Sequence, residues 1–140
     1  MNVNEAKELL SFHSGRNTDI NNIKWEKGFL GILRPFKGTL SEENFVEVME
    51  CLKVLKNEFK KQTIEKEIVA DIVGITYMTK VWISPNGMLG RNDLLTKEQT
   101  QQLSVWIDII EECFMYLLDG AEEDAFFSYN EYLDNRYIRL

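Results

Sequence analysis

SEENFVEVMECLKVLKNEF, residues 41–59, carries the clearest periodicity in the chain. Phe45, Val48, Met49, Leu52, Leu55 and Phe59 recur at spacings of three and four, which gathers them on one side of an α-helix. Ser41 is a good N-cap, and Glu42 and Glu43 suit the positive end of the helix dipole. The spacing predicts a helix of about five turns, running to Phe59.

The same period continues downstream. Thr63 can cap a helix in which Ile64, Ile68, Ile72, Ile75, Met78 and Trp82 form one stripe, with Val69 and Val73 widening it. Gly74 inside that helix costs about 1 kcal/mol relative to alanine, and close approach of another helix is the expected compensation. SPNG at residues 84–87 stops the helix, because Pro85 has no amide hydrogen and Asn86-Gly87 accept turn conformations. Thr96 and Gln99 then form a capping box, which opens a helix through Leu103, Trp106, Ile107, Ile110, Phe114, Leu117 and Leu118. Asp119-Gly120 closes it, and a last helix is expected from Glu122 to about Leu133, with Phe126, Tyr129, Tyr132 and Leu133.

Upstream, NEAKELLSFHSG (residues 4–15) reads as a short helix with Ala6, Leu9, Leu10 and His13 on one side, ended by Gly15. The intervening segment is rich in Asn and Gly but also holds Ile23, Trp25, Phe29, Leu30, Ile32, Leu33 and Phe36. Those apolar groups need cover, so a loop packed over the core is expected. No alternating β pattern competes with these readings. The expected fold is all-α: a single domain over residues 1–140, a bundle of about five helices with one long packed loop at residues about 15–40.

Two four-residue stretches repeat, GFLG at Gly28–Gly31 and GMLG at Gly87–Gly90. Each precedes a hydroxyl cap and a long helix, Ser41 in one case and Thr96 in the other. A phosphate-gripping loop would place helix amides directly after the glycines, whereas here five to nine residues intervene. A structural role is expected instead, with glycines allowing backbone turns and the central apolar pair tucked into the core.

Composition bounds the function. The chain has 140 residues, 44% apolar and 28% charged, enough to bury a core without a metal or disulfide staple. Sixteen basic against twenty-three acidic side chains give a charge of -7, which repels phosphate backbones and anionic lipid. Neither nucleic acid nor membrane is expected as a partner. MNVNEAKELL lacks the basic start and continuous apolar core of a secretory signal, and a cytoplasmic protein is expected. Cys51 and Cys113 lie within apolar helical patterns and read as buried, reduced thiols.

The single histidine, His13, rules out a multi-imidazole metal site and suggests no triad. One carboxylate pattern does suggest chemistry. Glu47-x-x-Glu50 on one helix is followed by Glu67-x-x-x-Asp71 on the next. Residues three or four apart share a helix face, so two antiparallel neighbours would bring the four carboxylates onto a hard cation such as Mg²⁺. Here the chain resembles the all-α nucleoside triphosphate pyrophosphohydrolases of the MazG type, whose signature pairs Glu-x-x-Glu with Glu-x-x-Asp. KEIVADIVGITYM at residues 66–78 is similar to their second motif helix. The resemblance implies Glu47, Glu50, Glu67 and Asp71 as Mg²⁺ ligands and a metal-activated water as nucleophile. It covers about a quarter of the chain, and the second pair here is spaced by four where the family has three.

A second acidic group, Asp119, Glu122, Glu123 and Asp124, surrounds the start of the last helix. Beside it the aromatics exceed one narrow stripe, so Tyr129 and Tyr132 are expected at the surface, where tyrosine next to carboxylate suits a basic protein partner. The favoured expectation is therefore a small acidic binding protein without a cofactor, resembling in size and charge the bacterial immunity proteins that neutralise a toxin. The alternative is the Mg²⁺-dependent pyrophosphohydrolase. An exposed apolar patch would serve either a homo-oligomer or a foreign protein, and the sequence leaves that choice open.

Overall fold

The computed structural model describes residues 1–139, and the fold is all-helical. Helix α1 spans Val3–His13, α2 Ile23–Lys27, α3 Glu42–Leu55, α4 Lys66–Ile83, α5 Lys97–Leu118, α6 Glu122–Ala125 and α7 Phe127–Leu133, with 3-10 turns at Gly31–Leu33 and Lys56–Lys60.

The caps explain several boundaries. Asn2 accepts the Glu5 amide at 2.8 Å to start α1, and Ser41 accepts the Asn44 amide at 3.3 Å to start α3. The expected capping box is formed: Thr96 Oγ1 accepts from the Gln99 amide at 3.1 Å while the Gln99 side chain accepts from the Thr96 amide at 2.9 Å. Thr63, in contrast, caps nothing; α4 starts after Glu65 with no side-chain cap. The ladder of α3 stops at Leu55, and the 3-10 turn that follows still delivers Phe59 to the core. Residues 15–40 are more ordered than a loop, because α2 and a 3-10 turn fold Phe29, Leu30 and Leu33 inward. The expected last helix is broken at Phe126, whose φ of -108° and ψ of 8° separate α6 from α7.

Helix α1 packs against both α3 and α4, while α5 packs against α3, α4, α6 and α7. Phe45 lies at the centre of an aromatic cluster, stacked on Trp106 at 5.5 Å and edge-on to Tyr129 at 5.8 Å and Tyr132 at 5.2 Å. Such offset and edge-to-face pairs add to the area they bury. Cys51 and Cys113 are buried, and burial pushes both thiols up to about 12.

The glycine pairs are structural, but for a reason other than turn conformation. None of the four has a positive φ; among glycines that conformation belongs to Gly15, Gly38 and Gly120. A Cβ on Gly31 would strike the Trp25 carbonyl, one on Gly87 the Val81 carbonyl, and one on Gly90 the Ser84 carbonyl. The pairs therefore let the chain fold tightly back onto the end of the preceding helix, where Leu89 N–H donates to the Trp82 carbonyl at 2.8 Å. Phe29, Leu30 and Leu89 enter the core, as expected for the apolar letters between the glycines.

Candidate functional site

The four carboxylates of the suggested Mg²⁺ site do not converge. Their convergence required α3 and α4 to be neighbours, and α1 lies against both, whereas α3 and α4 share no comparable packing. Glu47 accepts a hydrogen bond from His13 Nε2 at 2.9 Å. Glu50 accepts from the Tyr129 hydroxyl at 3.0 Å and faces Lys53 at 3.5 Å. Glu67 and Asp71 share one face of α4, and the guanidinium of Arg16 spans them, at 2.8 Å to Glu67 and 2.9 Å to Asp71. Among the described residues no group of three or more His, Cys, Asp or Glu side chains is placed to hold a metal ion.

These contacts instead pin the segment after α1. His13 Nδ1 accepts the Phe29 amide at 2.9 Å, which leaves the ring proton on Nε2 for Glu47. That hydrogen bond holds the Glu47 carboxyl below its usual range, with partial burial opposing. Burial pushes the Asp71 carboxyl up, and hydrogen bonds from Ser14, at 2.8 Å, and from Arg16 oppose this without reversing it. The same ion pair raises Arg16. Both directions are compatible, since the desolvation falls on the buried carboxylate and the guanidinium is exposed.

The acidic, aromatic end is only partly a surface. Tyr129 is 1% exposed, and its hydroxyl serves Glu50. Tyr132 is half-buried and accepts from Trp106 Nε1 at 3.0 Å. Both tyrosines expected at a partner contact are thus core-facing, because the break at Phe126 turns α7 so that they meet Phe45. Phe127 points outward instead. Glu122 is held by Lys56 and Lys60, and Asp119, Glu123 and Asp124 remain exposed.

An uncovered apolar surface lies elsewhere, between α4 and α5. An open groove of about 1180 Å³ is lined by Val73, Tyr77, Met115 and Leu118, with Glu112 and Asp119 at its rim. Those four apolar residues are 45%, 60%, 54% and 51% exposed. The two helices run antiparallel here, since Lys80 of α4 bridges to Glu111 of α5 at 2.6 Å while Val73, a further two turns back, lies on the same groove as Leu118. Among the described residues neither Glu112 nor Asp119 has an ion-pair partner. Asp119, the C-cap of α5, is followed after Gly120 and Ala121 by α6, which bears Glu123 and Asp124.

The expectation that Val73 widens the core stripe, and that Leu118 belongs to one, is therefore incorrect. Ile68, Ile72 and Ile75 already fill the inward face of α4, and Val73, Tyr77 and Val81 recur every fourth residue on the opposite side. A helix with two apolar stripes was the signal for this surface.

Compared with known proteins, the chain matches no family model, no curated protein and no solved structure. Among the described residues no helix is long and apolar enough to cross a membrane.

Proposed function

We propose that the protein is a small acidic binding domain that covers a surface of another protein, in the manner of an inhibitor or immunity protein. The observation that carries this reading is the groove between α4 and α5, where four large apolar side chains on two rigid helices stay about half exposed. Contiguous exposed apolar surface with a polar rim is the usual mark of a contact for a macromolecule. Two features add support. Buried side-chain nitrogens and oxygens among the described residues all have hydrogen-bond partners, so the interior is internally satisfied. Glu112 and Asp119, which have no ion-pair partner among the described residues, lie on this groove, which suits a basic partner. The Mg²⁺-dependent alternative has less support, because Glu47 and Glu50 make their contacts apart from Glu67 and Asp71.

The test is site-specific photo-crosslinking in the native cell, with the crosslinking amino acid at position 77 and, as control, at position 5 on the exposed side of α1. A discrete protein adduct formed from position 77 and not from position 5, and lost on Leu118→Glu, is the expected result. No adduct from the groove, or equal adducts from both positions, overturns the reading.

A further inference from the structure

Resting on the protein-binding reading above, we propose that the groove between α4 and α5 receives an amphipathic α-helix of the partner, one whose apolar stripe is flanked by Lys or Arg. The groove lies between two antiparallel helices, and it extends from the Lys80–Glu111 bridge to Val73 and Leu118. At 1.5 Å per residue this is about 10 Å, or two helical turns, of continuous apolar floor. A third helix laid along such a furrow completes ordinary ridge-into-groove packing. Its anchors would come from positions i, i+3 or i+4, and i+7, spaced to meet Tyr77 and Met115 near the middle and Val73 and Leu118 at one end.

Charge selects among amphipathic helices. Lys80 is paired with Glu111, whereas Glu112 and Asp119 beside the apolar floor have no ion-pair partner among the described residues, although Glu112 also borders the cleft that holds Arg136 and Arg139. Glu123 and Asp124, exposed on α6, follow Asp119 within five residues of the chain. An acidic helix would face uncompensated repulsion at this rim, and a basic one would replace solvent-screened carboxylates with ion pairs. A second copy of this chain is the wrong occupant on the same ground. A two-fold contact through this patch would oppose like rims, on molecules that each carry a charge of -7.

The experiment is fluorescence anisotropy with three labelled 18-residue model helices: Leu/Lys amphipathic, Leu/Glu amphipathic with identical leucine positions, and a Leu/Lys scramble with no apolar face. Saturable binding of the first alone is expected. It should weaken at least tenfold on Tyr77→Glu and on Asp119→Lys, while Glu5→Lys on α1 changes it less than twofold. Unchanged melting by circular dichroism confirms that these surface variants are folded. The proposal is overturned by equal binding of the Leu/Glu helix, by equal binding of the scramble, or by a Glu5→Lys effect as large as that of Asp119→Lys. Sedimentation of the wild type at neutral pH as a dimer that Tyr77→Glu dissociates also overturns it. A crosslinked partner that contacts position 77 through a strand or an acidic helix would reject this inference and leave the binding function standing. Absence of any adduct from position 77 removes both.

Discussion

A methyl group added at position 74 and one added at position 87 should act in opposite directions. Gly74 lies within α4, where an added Cβ would meet only Ser14 Cβ at 3.9 Å, an ordinary contact. Gly74→Ala therefore removes the helix penalty of glycine and should raise stability by about 1 kcal/mol in denaturant unfolding. Gly87→Ala puts the same atom into the Val81 carbonyl, so the turn must open, at a loss of about 2 kcal/mol or more. Equal effects of the two substitutions would show that the tight return after α4 is misplaced. Two carboxylates make an analogous opposed pair in acid. The folded pKa of Glu47 lies below its ordinary 4.5, so its contribution is present above that value and is lost as pH falls through the folded one. The stability gap between wild type and Glu47→Gln should then narrow on acidification. Asp71 has the reverse sign: its folded pKa lies above the ordinary 3.8, so ionising it lowers stability as pH rises. Relative to Asp71→Asn, the wild type should lose stability over that rise. A gap that moves the same way for both variants would contradict the assignment of His13 to Glu47 and of burial to Asp71.

At the scale of elements, the bundle is held by the rings that α3, α5 and α7 bring to one point. Truncating Phe45, which touches Trp106, Tyr129 and Tyr132, should cost about 3–5 kcal/mol. Tyr129→Phe removes only the hydrogen bond to Glu50 and should cost about 1 kcal/mol. A Phe45→Ala melting temperature within a degree of wild type would mean that α7 does not dock there. The inward face of α3 and the capped start of α5 were legible because local rules decide them: Ser41, the three-and-four spacing, and the Thr96–Gln99 box. The break at Phe126 was not, because the preference of Tyr129 and Tyr132 for the Phe45 cluster overrides the helical pattern of residues 122–133. Carboxylate convergence was equally beyond local rules. Spacing put Glu47 and Glu50 near one face, and Glu67 and Asp71 on another, but only tertiary order reveals that α1 takes the place between them. The groove was half legible: Val73, Tyr77, Met115 and Leu118 are plainly apolar in the sequence, and what hid them was the assumption of one buried stripe per helix.

For the whole molecule, the exposed groove and the net charge pull against each other. Uncovered apolar surface on two rigid helices favours association, since each square ångström removed from water is worth about 25 cal/mol. The charge of -7 at neutral pH opposes it by repulsion between like molecules. Lowering the pH towards the isoelectric point near 4.8 removes the repulsion and leaves the apolar term. The isolated protein should therefore be monomeric at neutral pH and self-associate as pH approaches 4.8, with a static light-scattering mass that rises with concentration. Tyr77→Ser combined with Leu118→Ser leaves the titratable carboxylates and bases untouched while removing two of the groove's apolar side chains. That variant should need a distinctly higher concentration to reach the same mass. Added salt at neutral pH should move the wild type in the associating direction as well, because screening over about 8 Å weakens the same repulsion. If the double-serine variant associates as readily as the wild type near the isoelectric point, the contact lies on another face, and the groove is not the surface that this molecule most needs to cover.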